Sequence, residues 1–364
     1  MQGGQRLFRI AAVIANITIA GGATAFGQQP AVVAADQAAA ILVFPYIAVD
    51  SRNGADTLIQ LSNASITPID IQCFYENTTG HCSSSPVDSP IACFFTPTDC
   101  PFGDICLPNF SWTGFALRLT SGQPIGWRAC KGIPDGGIPP VPEDPFVGVL
   151  RCIALDPTLA PTDQNVLEGT ARIEHFQAPV FLDSARYSAI GIQAVTGAND
   201  GDGTLCVGDS PAAACPLGAE YTACPRITIV THFFEGATDP ATGNLVHTTL
   251  ALVPCGVDYN LQGPTSLLVH YNVFNEFEQR LGTSRHFTAQ QVGLLSTIHP
   301  TIFNVGVQGT LTGQTRLLPI GGGLLAITIE KHQDVSDPTR QSTAALNAHH
   351  AGVQTGGDTI VLPP

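Results

Sequence analysis

Apolar residues recur with a period of two along nearly the whole chain, and helical spacing is scarce. In one stretch Thr57, Ile59 and Leu61 alternate with Leu58, Gln60 and Ser62. Alternation puts successive side chains on opposite faces of a strand, so one face is buried and the other is left to solvent. Candidate strands are 41–49, 57–62, 69–75, 113–120, 146–155, 168–176, 187–195, 226–234, 246–254, 266–279, 302–311, 314–319, 324–331, 343–350 and 357–362. Gly and Pro (37 and 28 residues) punctuate them. The one expected helix is short, from Thr288 to Ser296. Many short strands with Gly/Pro turns read as all-β: one or two antiparallel β-sandwich units, immunoglobulin-like or jelly-roll-like, with long disulfide-braced loops.

Charge narrows the partners. Only 12% of the 364 residues are charged, and the net charge is −14. Lys131 and Lys331 are the only lysines, and no Lys/Arg cluster stands out along the chain. A nucleic-acid surface needs such a cluster to neutralise phosphates, so no nucleic-acid partner is expected. Lysine commonly guards exposed sheet edges, and its scarcity points to homo-assembly through β edges.

The first residues read as an export signal. Arg6 and Arg9 precede the apolar run Ile10–Ala20, and Ala23-Thr24-Ala25 has the small-residue pattern of a cleavage site. Removing 1–25 takes away two of the 15 cations and leaves 13 against 29 anions. No later segment is long and apolar enough to span a membrane; Leu317–Ile329 is interrupted by Gly321-Gly322-Gly323, read as a hairpin turn. The remainder divides into 26–196, a Cys-rich loop or linker at 197–225, and 226–364, with a β-sandwich expected on either side of the linker.

Eleven cysteines follow the signal: Cys73, Cys82, Cys93, Cys100, Cys106, Cys130, Cys152, Cys206, Cys215, Cys224 and Cys255. In an exported chain they read as disulfides bracing loops. No C-x-x-C occurs, which removes thioredoxin-like and zinc-finger spacings. The odd count leaves at least one thiol unpaired or bridging to another chain.

The stretch Ile41–Asn63 with Gln72-Cys73-Phe74-Tyr75, the segment Asp144–Cys152 and the segment Asn275–Arg280 resemble exported bacterial β-rich proteins of unknown function. The resemblance implies a secreted, β-sandwich-like bacterial protein and carries over no active site.

Few residues suggest chemistry. Asn199-Asp200-Gly201-Asp202-Gly203-Thr204, with Asp209 nearby, half-matches a calcium loop; Thr204 and Leu205 stand where a further oxygen ligand and Gly are needed. Calcium is thus the one cofactor considered, on Asp200, Asp202 and Asp209. Glu276 and Glu278 lie two apart on the expected strand 266–279 and would share a face with His270 and Asn272; that suits a glycosidase carboxylate pair, but the first reading is an outward polar face opposite Tyr271, Val273 and Phe277. His349 and His350 are adjacent and would point apart. No G-x-S-x-G, S-x-x-K or H-E-x-x-H occurs. Trp112 and Trp127 are candidate stacking platforms for surface glycans. The expectation is an exported, non-enzymatic β-sandwich protein working in structure, adhesion or assembly at the cell surface, outside the cell or in the periplasm. The alternatives are a glycan- or calcium-binding module, then a secreted hydrolase with a dispersed site.

Overall fold

A computed structural model describes residues 33–84, 92–93, 100, 104, 106–107, 110–177, 180–209, 215–337 and 339–364. The expected signal at 1–25 lies outside them. The chain is 57% strand with almost no helix, arranged as a five-bladed β-propeller rather than a β-sandwich. The all-β expectation stands, and the immunoglobulin-like or jelly-roll-like one is corrected. Alternation specifies that each sheet buries a face against another sheet. A sandwich and a ring of blades both satisfy that, and the choice between them rests on long-range pairings.

Five main sheets can be followed. The first orders Ile190–Ile192, Ile41–Val49, Phe146–Leu155, Ile69–Asn77 and Ser111–Leu119. The second orders Val180–Ser188, Leu167–Gln177, Ala55–Asn63 and Pro124–Arg128. The third joins Thr204–Val207, Asp358–Val361 and Val257–Asp258, so the Cys-bearing segment 197–225 is tied to the last residues of the chain. The fourth orders Arg280–Thr288, Ser266–Asn275, Thr312–Ile320, Pro225–Phe233 and His349–Val353. The fifth orders Gln291–Leu294, Leu245–Pro254, Leu324–Gln333 and Gln341–Asn347. A small sheet of Ala92–Cys93, Gly80–Cys82 and Cys106–Leu107 sits on the first Cys loop.

Each apolar cluster spans several sheets. One includes Phe44, Ile59, Tyr75, Leu150, Ile173 and Ile327, from the first, second and fifth sheets. Another includes Ile41, Phe74, Leu205, Val253, Tyr259 and Ile360, which brings in the third. The last lies between the fourth and fifth, around Val230, Leu252, Val269, Tyr271, Phe303 and Leu317.

Several local expectations change. Residues 302–311 form turns and the short helix Val305–Gln308, not a strand; Asn304 caps it by accepting the Gly306 N–H. Of the helix expected over Thr288–Ser296, 291–294 is strand, and a single turn follows at Leu295–Ile298. The expected strand 343–350 is two strands, Gln341–Asn347 and His349–Val353, which part at Ala348 into different sheets. Gly321-Gly322-Gly323 is not a hairpin turn, because Thr312–Ile320 and Leu324–Gln333 belong to different sheets. Gly323 is required there: a Cβ would meet the Cys224 Cβ at 2.2 Å and the Asp358 Oδ2 at 2.8 Å.

The cysteines mostly pair. Cys73–Cys152, Cys82–Cys100, Cys206–Cys215 and Cys224–Cys255 are disulfides. Cys73 and Cys152 face each other in register on neighbouring strands of the first sheet, so this bridge braces a core rather than a loop. The side chains of Cys93 and Cys106 lie outside the described residues. Cys130 is a free thiol, the odd cysteine that the count requires. Among the described residues no helix is long and apolar enough to cross a membrane.

Candidate functional site

Buried polar groups are candidates for chemistry, and the most deeply buried ion pair is taken up by the fold. Arg151 and Glu76 are 1% and 2% exposed and pair at 2.9 Å through Nε and Oε1. Arg151 also donates to the carbonyls of Cys255 (2.7 Å) and Pro254 (3.3 Å), and Tyr259 Oη donates to Glu76 at 2.6 Å. Burial raises the Tyr259 phenol well above its ordinary range, with the Glu76 charge adding to it. Every charge here has its partner, and the group joins the first sheet to residues 254–259.

Within the described residues, three metal-ligand side chains converge in one place: Cys224, Cys255 and Asp358, all buried. The two sulfurs are bonded to each other. A disulfide has no thiolate to offer a metal, so the trio is a covalent brace beside a carboxyl group. The Gly323 N–H donates to both Asp358 carboxylate oxygens, at 3.0 and 2.9 Å. Burial nevertheless pushes this carboxyl up to about 6 from 3.8. Between those values the native state holds a proton that the unfolded chain has released. The stability that this one group contributes is therefore fully present below pH 3.8 and is lost as pH rises through 6. The shift corresponds to about 3 kcal/mol at neutral pH. Asp358→Asn keeps an acceptor for Gly323 and should raise stability at pH 7 by roughly 1–2 kcal/mol. Urea unfolding from pH 4 to 7 checks this, and an unchanged or lower stability at pH 7 would count against it.

The acidic loop does not gather its carboxylates. Asp200 Oδ1 accepts the Asp202 N–H at 3.1 Å, and Asp202 Oδ1 accepts the Thr204 N–H at 2.6 Å. These are turn-forming hydrogen bonds of the kind Asp makes without a metal. The buried Glu220 accepts the N–H groups of Asp200 and Cys206, and Asp209 is exposed beyond the strand. Asp200, Asp202 and Asp209 are not brought within 4.8 Å of one another.

The carboxylate pair is displaced as well. The strand stops at Asn275, whose Oδ1 accepts the N–H groups of Phe277 and Gln279 and so turns the chain. Glu276 and Glu278 sit in that turn, Glu278 with φ 59°, and share no strand face with His270. Glu276 Oε1 accepts the hydroxyl and N–H of Thr312. Neither Trp is a free platform. Trp127 is 2% exposed and donates to Tyr75 Oη at 2.6 Å, while Trp112 donates to the Tyr259 carbonyl and packs edge-on to Phe74. Cys130 Sγ donates to Asp56 Oδ2 at 3.1 Å in a cleft of about 660 Å³ with Arg128 and Phe176. Burial and the Asp56 carboxylate push this thiol up to about 11, and the nucleophilic thiolate form is suppressed accordingly.

The feature that no structural role accounts for is the outer face of the fourth sheet. Its five strands contain no Asp or Glu, whereas each of the other four main sheets has at least one. They hold Arg226, Arg280, Arg285 and Arg316, with five of the ten histidines. Register aligns the outward residues: Phe274 lies between Arg280 and Gln314, Asn272 between Gly282 and Arg316, and His270 between Ser284 and Leu318. Arg280 donates to Asn272 Oδ1 through Nε (3.0 Å) and Nη2 (2.6 Å). Arg316 lies over the Phe274 ring at 4.9 Å from its centroid. His270 bonds Ser284, and His286 and His349 lie exposed on the flanks. By contrast, His232 on the inner face is held down to about 4 by burial and bonds Thr315 at 2.8 Å.

Reading strand by strand misses this face, because its cations come from alternate positions on separate strands. A signal was nevertheless present: no carboxylate occurs between Glu278 and Glu330, in a chain with 29 of them. No family model matches the chain, and no curated protein matches it.

Proposed function

We propose that this is an exported, non-enzymatic protein that works by surface contact, in adhesion or assembly outside the cytoplasm. The observation that carries the reading is the segregation of charge: an acidic chain places no Asp or Glu within the five strands of one sheet and holds two guanidinium groups in place on its outer face. Fixed cations on an open face suit attachment to an anionic surface, because electrostatic complementarity steers encounter and sets orientation. The four disulfides among the described residues fit an oxidising compartment. The buried ionisable groups described above are engaged in the fold, and that leaves the surface to do the work.

Co-sedimentation of the native protein with washed bacterial envelopes at low salt tests this. The protein should pellet with the envelopes and be released by roughly 0.3–0.5 M salt, as Debye screening implies. Recovery entirely in the supernatant at low salt would contradict it.

A further inference from the structure

The fourth sheet offers more than net charge. Arg280 is tethered to Asn272 and Arg316 rests on Phe274, so both planar groups are set before any ligand arrives. Pre-organised guanidinium groups recognise carboxylates in two-point geometry. Between and beside them the face presents Ser284, Asn272 and Gln314, which donate and accept hydrogen bonds as sugar hydroxyls do. The strand Arg280–Thr288 is an edge, where charge also serves to block strand addition. Arg316, however, stands on the central strand Thr312–Ile320, where edge protection explains nothing.

We infer that this face is a docking site for an acidic polysaccharide, a chain of uronate sugars whose carboxylates meet Arg280 and Arg316 and whose hydroxyls meet the amides and Ser284. The inference rests on the surface-contact reading above and names its partner class. A duplex nucleic acid fits less well. Its affinity comes from releasing many counterions, whereas two outward guanidinium groups release few, and the chain's net charge of −14 opposes a dense polyanion. A uronate chain carries fewer charges per length and more hydroxyls, which matches the mixture present here.

The test uses the native full chain on immobilised polygalacturonate at low salt. Neutral dextran, duplex DNA and a protein-only sedimentation run serve as the other arms. Binding to polygalacturonate that falls with salt, with no retention on dextran, is expected. The single variant Arg316→Ala and the double variant Arg280→Ala/Arg316→Ala should weaken binding progressively, the double about tenfold, with unchanged unfolding midpoints. Arg118→Ala, an exposed arginine of the first sheet, serves as the control and should bind as the parent does. No binding to polygalacturonate, equal binding by the double variant, DNA binding as tight as the polysaccharide, or retention explained by self-association would each overturn the inference. Envelope sedimentation that persists while polygalacturonate fails would leave the surface-contact reading standing and remove only the polysaccharide.

Discussion

Replacing Arg151 with Met is expected to cost about 3–5 kcal/mol, the usual penalty for removing one partner of a buried ion pair. The loss would leave the Glu76 carboxylate in the interior with only the Tyr259 hydroxyl, and would strip the donor from the carbonyls of Pro254 and Cys255. Domains of this kind are stable by only roughly 5–15 kcal/mol, so the variant should unfold at a visibly lower denaturant concentration. Combining it with Glu76→Leu should restore part of the loss, because an apolar pair of similar volume often replaces a buried ion pair at little cost. Chemical denaturation of the three proteins checks this. A cost below about 1 kcal/mol for Arg151→Met would mean that the pair does not hold residues 254–259 to the first sheet.

The second large effect is expected at the Cys73–Cys152 bridge. It closes a sequence separation of 79 residues, against 9 for Cys206–Cys215. Loop-closure entropy then assigns it about 4–5 kcal/mol, and about 2–3 kcal/mol to the shorter one. Cys73→Ala/Cys152→Ala should therefore destabilise the protein more than Cys206→Ala/Cys215→Ala, measured by thermal and urea unfolding under non-reducing conditions. The reverse order would show that native packing around the sulfurs, rather than restriction of the unfolded chain, sets the contribution.

What could be read from the sequence follows from the range of each signal. Ile41–Val49 and Leu245–Pro254 were legible within a residue or so, because strand propensity and alternation are local. Arg280–Thr288 was missed because, as an exposed edge strand, it buries little beyond Phe287 and so shows no alternation. The propeller was out of reach. Its closure depends on pairings such as Thr204–Val207 with Asp358–Val361, more than 150 residues apart, for which no local pattern exists. The disulfide partners were hidden for the same reason: Cys73 pairs with Cys152 because strand register sets them opposite each other. The carboxylates of Asp200 and Asp202 resembled calcium ligands because Asp serves turns and metals with the same spacing, and hydrogen bonding decides which. The acid-free sheet was legible only as a gap, since an absence of Asp and Glu over residues 279–329 has no motif to match.

On the proposed function, the outer face of the fourth sheet is the surface that meets the partner. Hydrogen exchange of the native protein, with and without saturating bacterial envelope fragments, would locate that contact. Added protection is predicted in the peptides covering 266–288 and 312–320, with residues 199–209 and the cleft around Cys130 unchanged. Protection confined to either of those other regions, with the fourth sheet exchanging as in the free protein, would contradict it.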